Sequence, residues 1–303
     1  MKDRKVDIKN YLNDKQQAVE DGLKALMLQA TGPFVKHIEA MRYSLFAGGK
    51  RVRPILCLAT GEALDNSPET TNNLLPIACA LECMHTYSLI HDDLPAMDND
   101  KLRRGKPTNH ILFGEAGAIL AGDSLLTFAF ELLSTAGNST LPAENRLRII
   151  EMISRATGPL GMVGGQALDI ASEQTSVPFA ILQTIHRAKT GALITCSVQA
   201  GAIGAGATFE QMEKLTIYGE KIGLAFQIVD DILNVTSTTE QLGKATGSDA
   251  HRGKATYPAF FGIEQTKIKA KEAITGAIDA LHGFDAKADP LRQLATYIYT
   301  RSN

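Results

Sequence analysis

The chain contains no tryptophan, and only four of its 303 residues are cysteines. None of the cysteines forms a C-x-x-C pair, and Cys79 and Cys83 are one helical turn apart, a spacing that suits core packing better than zinc binding or redox chemistry. Buried free thiols are typical of a reducing cytosol. We therefore expect a cytoplasmic protein in which the cysteines have no catalytic role.

Long uncharged apolar runs and an excess of positive charge are also missing. No segment approaches the roughly 20 apolar residues that a membrane-spanning helix needs. The first residues, MKDRKVDIKN, are polar and lack the apolar segment of a signal peptide. The net charge is −2, so no overall positive field attracts nucleic acid. The sequence predicts neither membrane insertion nor nucleic-acid binding.

Helical periodicity dominates the chain, and no convincing series of alternating strands is found. Apolar residues recur at three- and four-residue spacing in 74–90, 116–133, 213–235 and 267–281. The breaks are short, and none resembles a flexible interdomain linker. The pattern predicts a single all-α domain over residues 1–303, with ten or more helices around a large core. The Gly- and Ala-rich segment 191–207 either packs closely against other helices or leaves room for a ligand.

Two aspartate pairs lie far apart in the sequence, each in an apolar helical stretch. Asp92 and Asp93 stand in SLIHDDLPAMD, and Asp230 and Asp231 stand in GLAFQIVDDILN. Adjacent carboxylates repel one another and are costly to bury unpaired, so we expect cations between the two pairs. Oxygen-only ligand sets suit Mg²⁺, which commonly binds a few carboxylates plus substrate phosphates. The pairs predict a metal-dependent enzyme that acts on a phosphorylated compound.

Helical spacing groups the polar residues around each pair. In a helix over 223–235, one face carries Gln227, Asp230, Asp231 and Asn234. The helix would be anchored by a second, apolar face, formed by Leu224, Ile228, Ile232 and Val235. The alternative for the polar face is a solvated helix surface.

The first pair has a comparable arrangement. His85, Ser88 and Asp92 are stacked on one face of a helix over 81–94. Pro95 disfavours helical geometry at the preceding residue, so the helix should end or bend there. The chain can then loop so that Asp98 returns towards Asp92. A structural role is the alternative for His85.

Basic clusters supply groups for binding anions. AGGKRVRP carries Lys50, Arg51 and Arg53 just before Pro54, which suits the first turn of a helix through 54–64. Arginine forks match phosphate oxygens, and two of them occur in DNDKLRRGKPT. Further basic residues occur in HRAKTGALI and in LGKATGSDAHRGKAT, which lacks the spacing of a P-loop. Solvated charge is the alternative for each cluster taken alone.

In this order, the motifs resemble those of the trans-prenyltransferases, or isoprenyl diphosphate synthases, most closely the bacterial farnesyl diphosphate synthase group. The resemblance runs from about Ser44 to Pro258. It rests on GGKRVRP, ECMHTYSLIHDDLPAMDNDKLRRGKPT, AGD, GMVGGQALD, HRAKTGALI, GLAFQIVDDILN and LGKATGSDAHRGKATYP. It implies an all-helical homodimer whose aspartate motifs face each other across a deep central cavity.

The resemblance also implies residue roles. It makes Asp92, Asp98 and Asp230 ligands of three Mg²⁺ ions, for which Mn²⁺ can substitute, with Asp93 and Asp231 in support. The allylic diphosphate would be held by Arg103, Lys189, Lys254 and, nearby, Lys244. The reacting region would be lined by Gln166, Asp169, Thr190 and Gln227. The diphosphate of isopentenyl diphosphate would be bound by Lys50, Arg53, His85 and Arg104. Asn234 departs from the pattern, since the family often has a third aspartate there.

Product length is the last expectation from the sequence. Tyr87 and Ser88 precede Asp92 on the same predicted helix, and Tyr87 is about 7.5 Å from it along the axis. The resemblance places chain-length control in this region. We therefore predict that Tyr87 floors the cavity and that dimethylallyl and geranyl diphosphate are extended mainly to farnesyl diphosphate. Ordinary core packing is the alternative for Tyr87.

Other functions fit the sequence less well. A helical HD-type phosphohydrolase would explain His91-Asp92 but needs further metal-binding histidines, and it leaves the second aspartate pair unexplained. A terpene cyclase would not need basic residues for a second diphosphate. A non-catalytic partner subunit should have lost charged site residues, whereas only position 234 departs. A geranylgeranyl diphosphate synthase of the same family remains the alternative product assignment.

Overall fold

The computed structural model describes residues 7–134, 139–236 and 254–300, and helices dominate all three ranges. The helices are α1 (Ile8–Leu26), α2 (Val35–Leu45), α3 (Val52–Leu64), α4 (Pro68–Asp92), α5 (Asn109–Ser134), α6 (Ala143–Thr157), α7 (Met162–Ala171), α8 (Phe179–Ile185), α9 (Ala192–Gly204), α10 (Phe209–Thr236), α11 (Tyr257–Ala280) and α12 (Asp289–Thr300). Short 3₁₀ turns span Gly32–Phe34 and Ala286–Ala288, and a π-helical segment, His186–Gly191, joins α8 to α9. The prediction of an all-α fold with ten or more helices is confirmed.

Helix α4 carries the first aspartate pair at its carboxyl end. It begins after Ser67, whose side chain accepts a hydrogen bond from the backbone N–H of Thr70, and it ends at Asp92. The following residues turn back on the helix, and the backbone N–H of Asp98 donates to the carbonyl of Asp92 at 2.8 Å. The predicted loop before Pro95 is therefore present, and it brings Asp98 back to Asp92.

A small hairpin that the sequence analysis did not predict follows this loop. Strands β1 (Leu102–Arg103) and β2 (Lys106–Pro107) pair antiparallel, with Arg103 opposite Lys106. The two residues between them, Arg104 and Gly105, have φ values of 53° and 74°, as in a type I′ turn. Strands of two residues are too short to show alternation, so only the turn dipeptide could have indicated them.

Helix α9 carries most of the Gly- and Ala-rich segment and packs against α3 and α10. A Cβ on Gly201 would overlap the carbonyl oxygen of Cys57 in α3, and a Cβ on Gly223 would lie 2.9 Å from the Cα of Gly191. The small residues therefore serve close helix packing. All four cysteines are free and buried in this core.

Helix α10 carries the second aspartate pair, and its apolar face is mostly as predicted. Ile228 and Ile232 are each 1% exposed. The prediction for Val235 is wrong, since its side chain is 53% exposed. Because α10 ends at Thr236, Val235 lies in the last turn and does not anchor the helix.

Helix α5 is the one helix in the described part of the chain that is long and apolar enough, by length and composition, to cross a membrane. It packs against α4 and α2, as an ordinary core helix does. Its most apolar window is 44% buried, and core helices of non-membrane proteins pass the same test. Its outer side exposes Ile111, Leu112, Ile119 and Leu120.

Candidate active site

The first aspartate pair divides into two different environments. Asp93 is buried and accepts three hydrogen bonds from Arg103, from Nε at 2.9 and 2.8 Å and from Nη2 at 2.6 Å. Burial raises the pKa of Asp93 and is opposed by the bond from Arg103. The β-hairpin holds Arg103 in this position. Asp93 therefore orients Arg103, whose side chain remains 29% exposed.

Asp92 has no arginine bonded to it among the described residues, and it lies among charges of both signs. Burial raises the pKa of Asp92 to about 6, with Asp98 and Asp93 adding to the rise and Lys189 and Arg103 opposing it. A carboxylate that is held beside two others and costs free energy to ionise is suited to binding a cation.

Asp169 joins two lysines that are distant in sequence. Lys189 of the π-helical segment donates to Asp169 Oδ2 at 2.7 Å, and Lys254 donates to the same oxygen at 3.0 Å. Lys254 also lies 3.8 Å from Asp98 and 3.5 Å from Glu173. The lysines lower the pKa of Asp169 against the opposing effect of burial. The ammonium groups of Lys189 and Lys254 therefore lie close together beside the first aspartate motif.

A second chain of hydrogen bonds reaches the other aspartate motif. Thr190 donates to Gln227 Oε1 at 2.9 Å, and Gln227 Nε2 donates to Asp231 Oδ1 at 3.2 Å. Asp231 also accepts from the backbone N–H of Tyr257, the first residue of α11, at 2.9 Å. Asp231 is therefore buried and fixed by protein groups, whereas Asp230 is exposed.

The π-helical segment links these two networks. Lys189 and Thr190 are adjacent, and the wider turn is marked by the backbone N–H of Ala192 donating to the carbonyl of Arg187. Such segments occur often at functional sites. Lys189 contacts Asp169, and Thr190 contacts Gln227. This single segment therefore connects the Asp169 cluster to the helix that carries the second aspartate pair.

The residues predicted to bind isopentenyl diphosphate share one cavity. A cavity of about 570 Å³ is lined by residues of α1, α3, α4, α10, the hairpin and the segment before α3, among them Lys50, Arg53, His85 and Arg104. Arg104 donates to the carbonyl of Gly48, and a Cβ on Gly49 would lie 2.6 Å from the Arg104 guanidinium. Gly48 and Gly49 also have φ values of 92° and 131°, which favour glycine. The glycines of GGKRVRP therefore permit this close approach.

His85 is neutral in this cavity. Burial lowers its pKa well below the usual range, and Arg53 and Arg104 act in the same direction. A neutral imidazole beside two guanidinium groups can donate or accept a hydrogen bond without adding charge.

Arg51 differs from the rest of the basic cluster, because its charge is compensated within the protein. Its side chain is fully buried and pairs with Glu20 and Glu82 at 2.6 Å each. The sequence analysis grouped it with Lys50 and Arg53 as an anion-binding residue, and that grouping is wrong for Arg51. Its charge is already compensated by two carboxylates. The helix it precedes begins at Val52, two residues before the predicted start.

The remaining predicted residues lie around these groups. Tyr87 is 4% exposed, and its hydroxyl has no hydrogen-bond partner among the described residues. Its ring meets His91 edge to face at 5.9 Å, and burial raises its pKa to about 12. Ser88 donates to the carbonyl of His85 at 2.8 Å. The buried amide of Gln166 has no partner within the described ranges, and Lys244 lies outside them.

The donor set fits a metal that is completed by a ligand. Within residues 7–134, 139–236 and 254–300, no three His, Cys, Asp or Glu side chains form a group that could hold a metal ion by themselves. Asp92 and Asp98 offer carboxylate oxygens at one motif, and exposed Asp230 offers them at the other. Hard oxygen donors of this kind suit Mg²⁺ when substrate phosphates supply further ligands.

Sequence reasoning missed three side chains of the site. His186 is stacked on Tyr257 at 5.5 Å and lies 3.8 Å from Asp231. Glu173 faces Lys254, and Glu82 lines the basic cavity. Glu82 carried a usable signal, since it stands one helical turn before His85 in an otherwise apolar stretch.

A larger groove of about 950 Å³ runs along α6, α8, α9 and α10 and the π-helical segment. It is lined in part by His186 and by Gly191, Ala192 and Thr195 of the Gly- and Ala-rich segment. None of the residues predicted to act on substrate lines it. The site is therefore identified by its charged groups and their contacts, not by the size of the cavity.

Comparisons with known proteins show the family to which the chain belongs. The family model described as polyprenyl synthetase matches residues 35–289. A farnesyl diphosphate synthase of Geobacillus stearothermophilus is 46% identical over 98% of this chain and 98% of its own length. A geranylgeranyl diphosphate synthase of Cyanophora paradoxa is 46% identical over 97% and 96%. The apo crystal structure of an FPP/GFPP synthase from Zymomonas mobilis superposes with a TM-score of 0.86, at 38% identity over 97% of this chain and 99% of that one.

Proposed function

We propose that this chain, which belongs to the polyprenyl synthetase family, condenses isopentenyl diphosphate with dimethylallyl and geranyl diphosphate to give mainly farnesyl diphosphate. The observation that carries the proposal is the pairing of two anion-binding regions. The aspartate side gathers Lys189 and Lys254 around Asp169. The other side is the cavity that holds Arg53, His85 and Arg104. A two-substrate diphosphate reaction requires both.

The chain's own residues account for binding and charge stabilisation. When the allylic carbon–oxygen bond breaks, negative charge develops on the departing diphosphate. Lys189, Lys254 and Arg103 are held by carboxylates before substrate arrives, so little reorganisation is needed to stabilise that charge. The allylic cation is attacked by the double bond of isopentenyl diphosphate, whose own diphosphate is bound by Arg53 and Arg104. The proton that is lost passes to the departing diphosphate, so no protein base is required.

Asp92, Asp98 and Asp230 are the residues that would hold Mg²⁺. When bound, the metal would supply Lewis-acid stabilisation of the diphosphate oxygens. The raised pKa of Asp92, about 6, supports this assignment, because a nearby cation removes the cost of ionising it.

The product length follows from Tyr87. Its buried ring lies about 7.5 Å before Asp92 along α4, in the direction in which a chain anchored at the aspartates must extend. Tyr87 belongs to the buried core cluster to which α4 and α5 contribute many residues. We therefore expect synthesis to stop at fifteen carbons, and a twenty-carbon product is the alternative outcome.

The exposed side of α5 supports a homodimer. Ile111 and Leu112 are 49% and 51% exposed, and Ile119 and Leu120 are 44% and 56% exposed. Apolar groups placed together on one helix are typical of interfaces. We expect a dimer in light scattering and a monomer after Leu120→Glu. A wild-type chain that is monomeric at micromolar concentration would contradict this.

Product analysis with and without metal tests the function. The protein is incubated with isopentenyl diphosphate and either allylic diphosphate, with Mg²⁺ or with EDTA. Farnesyl diphosphate should form only with Mg²⁺, and Asp230→Ala should reduce turnover at least about a hundredfold. Full activity in excess EDTA would rule out the metal role. The free, buried cysteines further support a reducing, cytoplasmic location.

A further inference from the structure

The basic cavity contains a buried carboxylate, that of Glu82, which is 2% exposed. Arg51 donates to Glu82 Oε1 at 2.6 Å through Nη1. The same guanidinium donates to Glu20 Oε1 at 2.8 Å through Nε and to the carbonyl of Leu45 at 2.7 Å through Nη2. All three nitrogens of Arg51 are therefore used within the protein, and none is available to a ligand.

Arg53 is in the opposite situation. It lies in the first turn of α3, lines the same cavity, and is 9% exposed. Its buried Nε has no hydrogen-bond partner among the described residues. Glu82 is nonetheless close enough to raise the pKa of Arg53 against the larger, opposing effect of burial. One buried carboxylate thus lies near three arginines, Arg51, Arg53 and Arg104, and only Arg51 is bonded to it.

The position of Glu82 beside these arginines has a direct consequence for ligand binding. A buried carboxylate that loses its partner is strongly disfavoured. If Arg51 were absent, Glu82 would be left facing Arg53 and Arg104 in the same cavity. An Arg53 paired with Glu82 would bind a diphosphate less well. Arg51 lies at the edge of the same cavity as Lys50 and Arg53, but its guanidinium is bonded to Glu20, Glu82 and the carbonyl of Leu45.

We propose that Arg51 is a positioning residue that holds Glu82 and so keeps Arg53 available for the diphosphate of isopentenyl diphosphate. The inference rests on the proposed function for the identity of the ligand. It does not rest on it for the anion-binding role of the cavity, which inorganic diphosphate can test separately.

Glu20 provides a matched control. It accepts from the same guanidinium but lies on α1, has a side chain that is 20% exposed, and is not among the residues lining the cavity. If Arg51 only linked helices α1 and α4, the loss of Glu20 and the loss of Glu82 would change ligand affinity to a similar extent. If it acts by holding Glu82, only the loss of Arg51 itself should impair binding.

Calorimetric titration of four variants with isopentenyl diphosphate tests the proposal. The variants are Arg51→Met, Glu82→Gln, their combination, and Glu20→Gln, each checked for folding by circular dichroism. Titration in EDTA, repeated with inorganic diphosphate, limits the contribution of metal-bridged binding at the aspartates. Arg51→Met should weaken binding at least about tenfold, the scale of a lost charge-assisted contact. Adding Glu82→Gln should restore affinity to within about threefold of wild type, and Glu20→Gln should bind like wild type.

Several other outcomes are possible, and each decides for or against the proposal. A folded Arg51→Met that binds like wild type would overturn it, as would a double variant that stays tenfold weak. If Arg51→Met alone does not fold, the double variant decides, because it removes both buried charges together. Wild-type affinity there supports the proposal, and a tenfold loss overturns it. Wild-type protein that binds inorganic diphosphate but not isopentenyl diphosphate would refute the proposed substrate instead, and the same variants would then be read with inorganic diphosphate.

Discussion

Replacing Asp92 by asparagine should stabilise the metal-free protein while it removes activity. Asp92 is partly buried beside Asp93 and Asp98, and this setting raises its pKa to about 6. The ionised carboxylate is thus less favourable in the folded protein than in the unfolded chain. Asparagine keeps the shape and the hydrogen-bonding oxygen without the charge, so the repulsion is relieved.

The size of the effect follows from linkage. The pKa rises from 3.8 to about 6 on folding, and about two pKa units correspond to about 3 kcal/mol. Because the folded-state pKa is the higher one, the folded protein binds the proton more tightly. The contribution of Asp92 to the free energy of unfolding of the wild type is therefore greatest below about pH 4, and it is lost as the pH rises through about 6. The variant should be more stable by up to about 3 kcal/mol above about pH 7, and equal to wild type below about pH 4.

Urea denaturation in EDTA, from about pH 4 to about pH 8, measures this difference. Asp14→Asn is the matched control, since Asp14 is exposed on α1, and it should change stability by no more than about 0.5 kcal/mol. An Asp92→Asn protein that is less stable than wild type at about pH 8, or a difference that does not vary with pH, would refute the reasoning.

Three further expectations concern substrates and product. Arg53→Ala should mainly raise the apparent KM for isopentenyl diphosphate and Lys189→Ala that for the allylic substrate, each by about ten- to hundredfold; steady-state kinetics that show equal effects on both would contradict the two-region assignment. Asn234 is buried, so Asn234→Ala should cost about 1–3 kcal/mol in a denaturation experiment yet keep much of its turnover; a loss as large as that of Asp230→Ala would make the amide a ligand or an orienting group. Tyr87→Ala should yield products longer than fifteen carbons by chromatography, and a folded, active variant that still stops there would exclude the ring as the floor.

Local sequence determined much of the fold and the inventory of the site. Apolar spacing predicted the long helices, because burial of one face repeats with the helical period. Pro95 predicted the end of α4 and the return of Asp98, because proline restricts the residue before it. The paired aspartates and the GGKRVRP cluster pointed to a diphosphate site, because these side chains have few other uses in an apolar setting.

The tertiary structure alone decided which charges remain available. Arg51 and Arg53 are two residues apart and chemically identical, yet Arg51 is compensated by Glu20 and Glu82, while Arg53 lines the cavity. Asp230 and Asp231 are adjacent, yet Asp231 is bound by Gln227 and the start of α11. Gln227 stands one helical turn before Asp231 on the same face, but Tyr257 is 26 residues from Asp231. Glu20 and Glu82 are each 31 residues from Arg51, and folding alone brings them to it. The pairing of a charge depends on what other helices place beside it, and sequence spacing carries no such information.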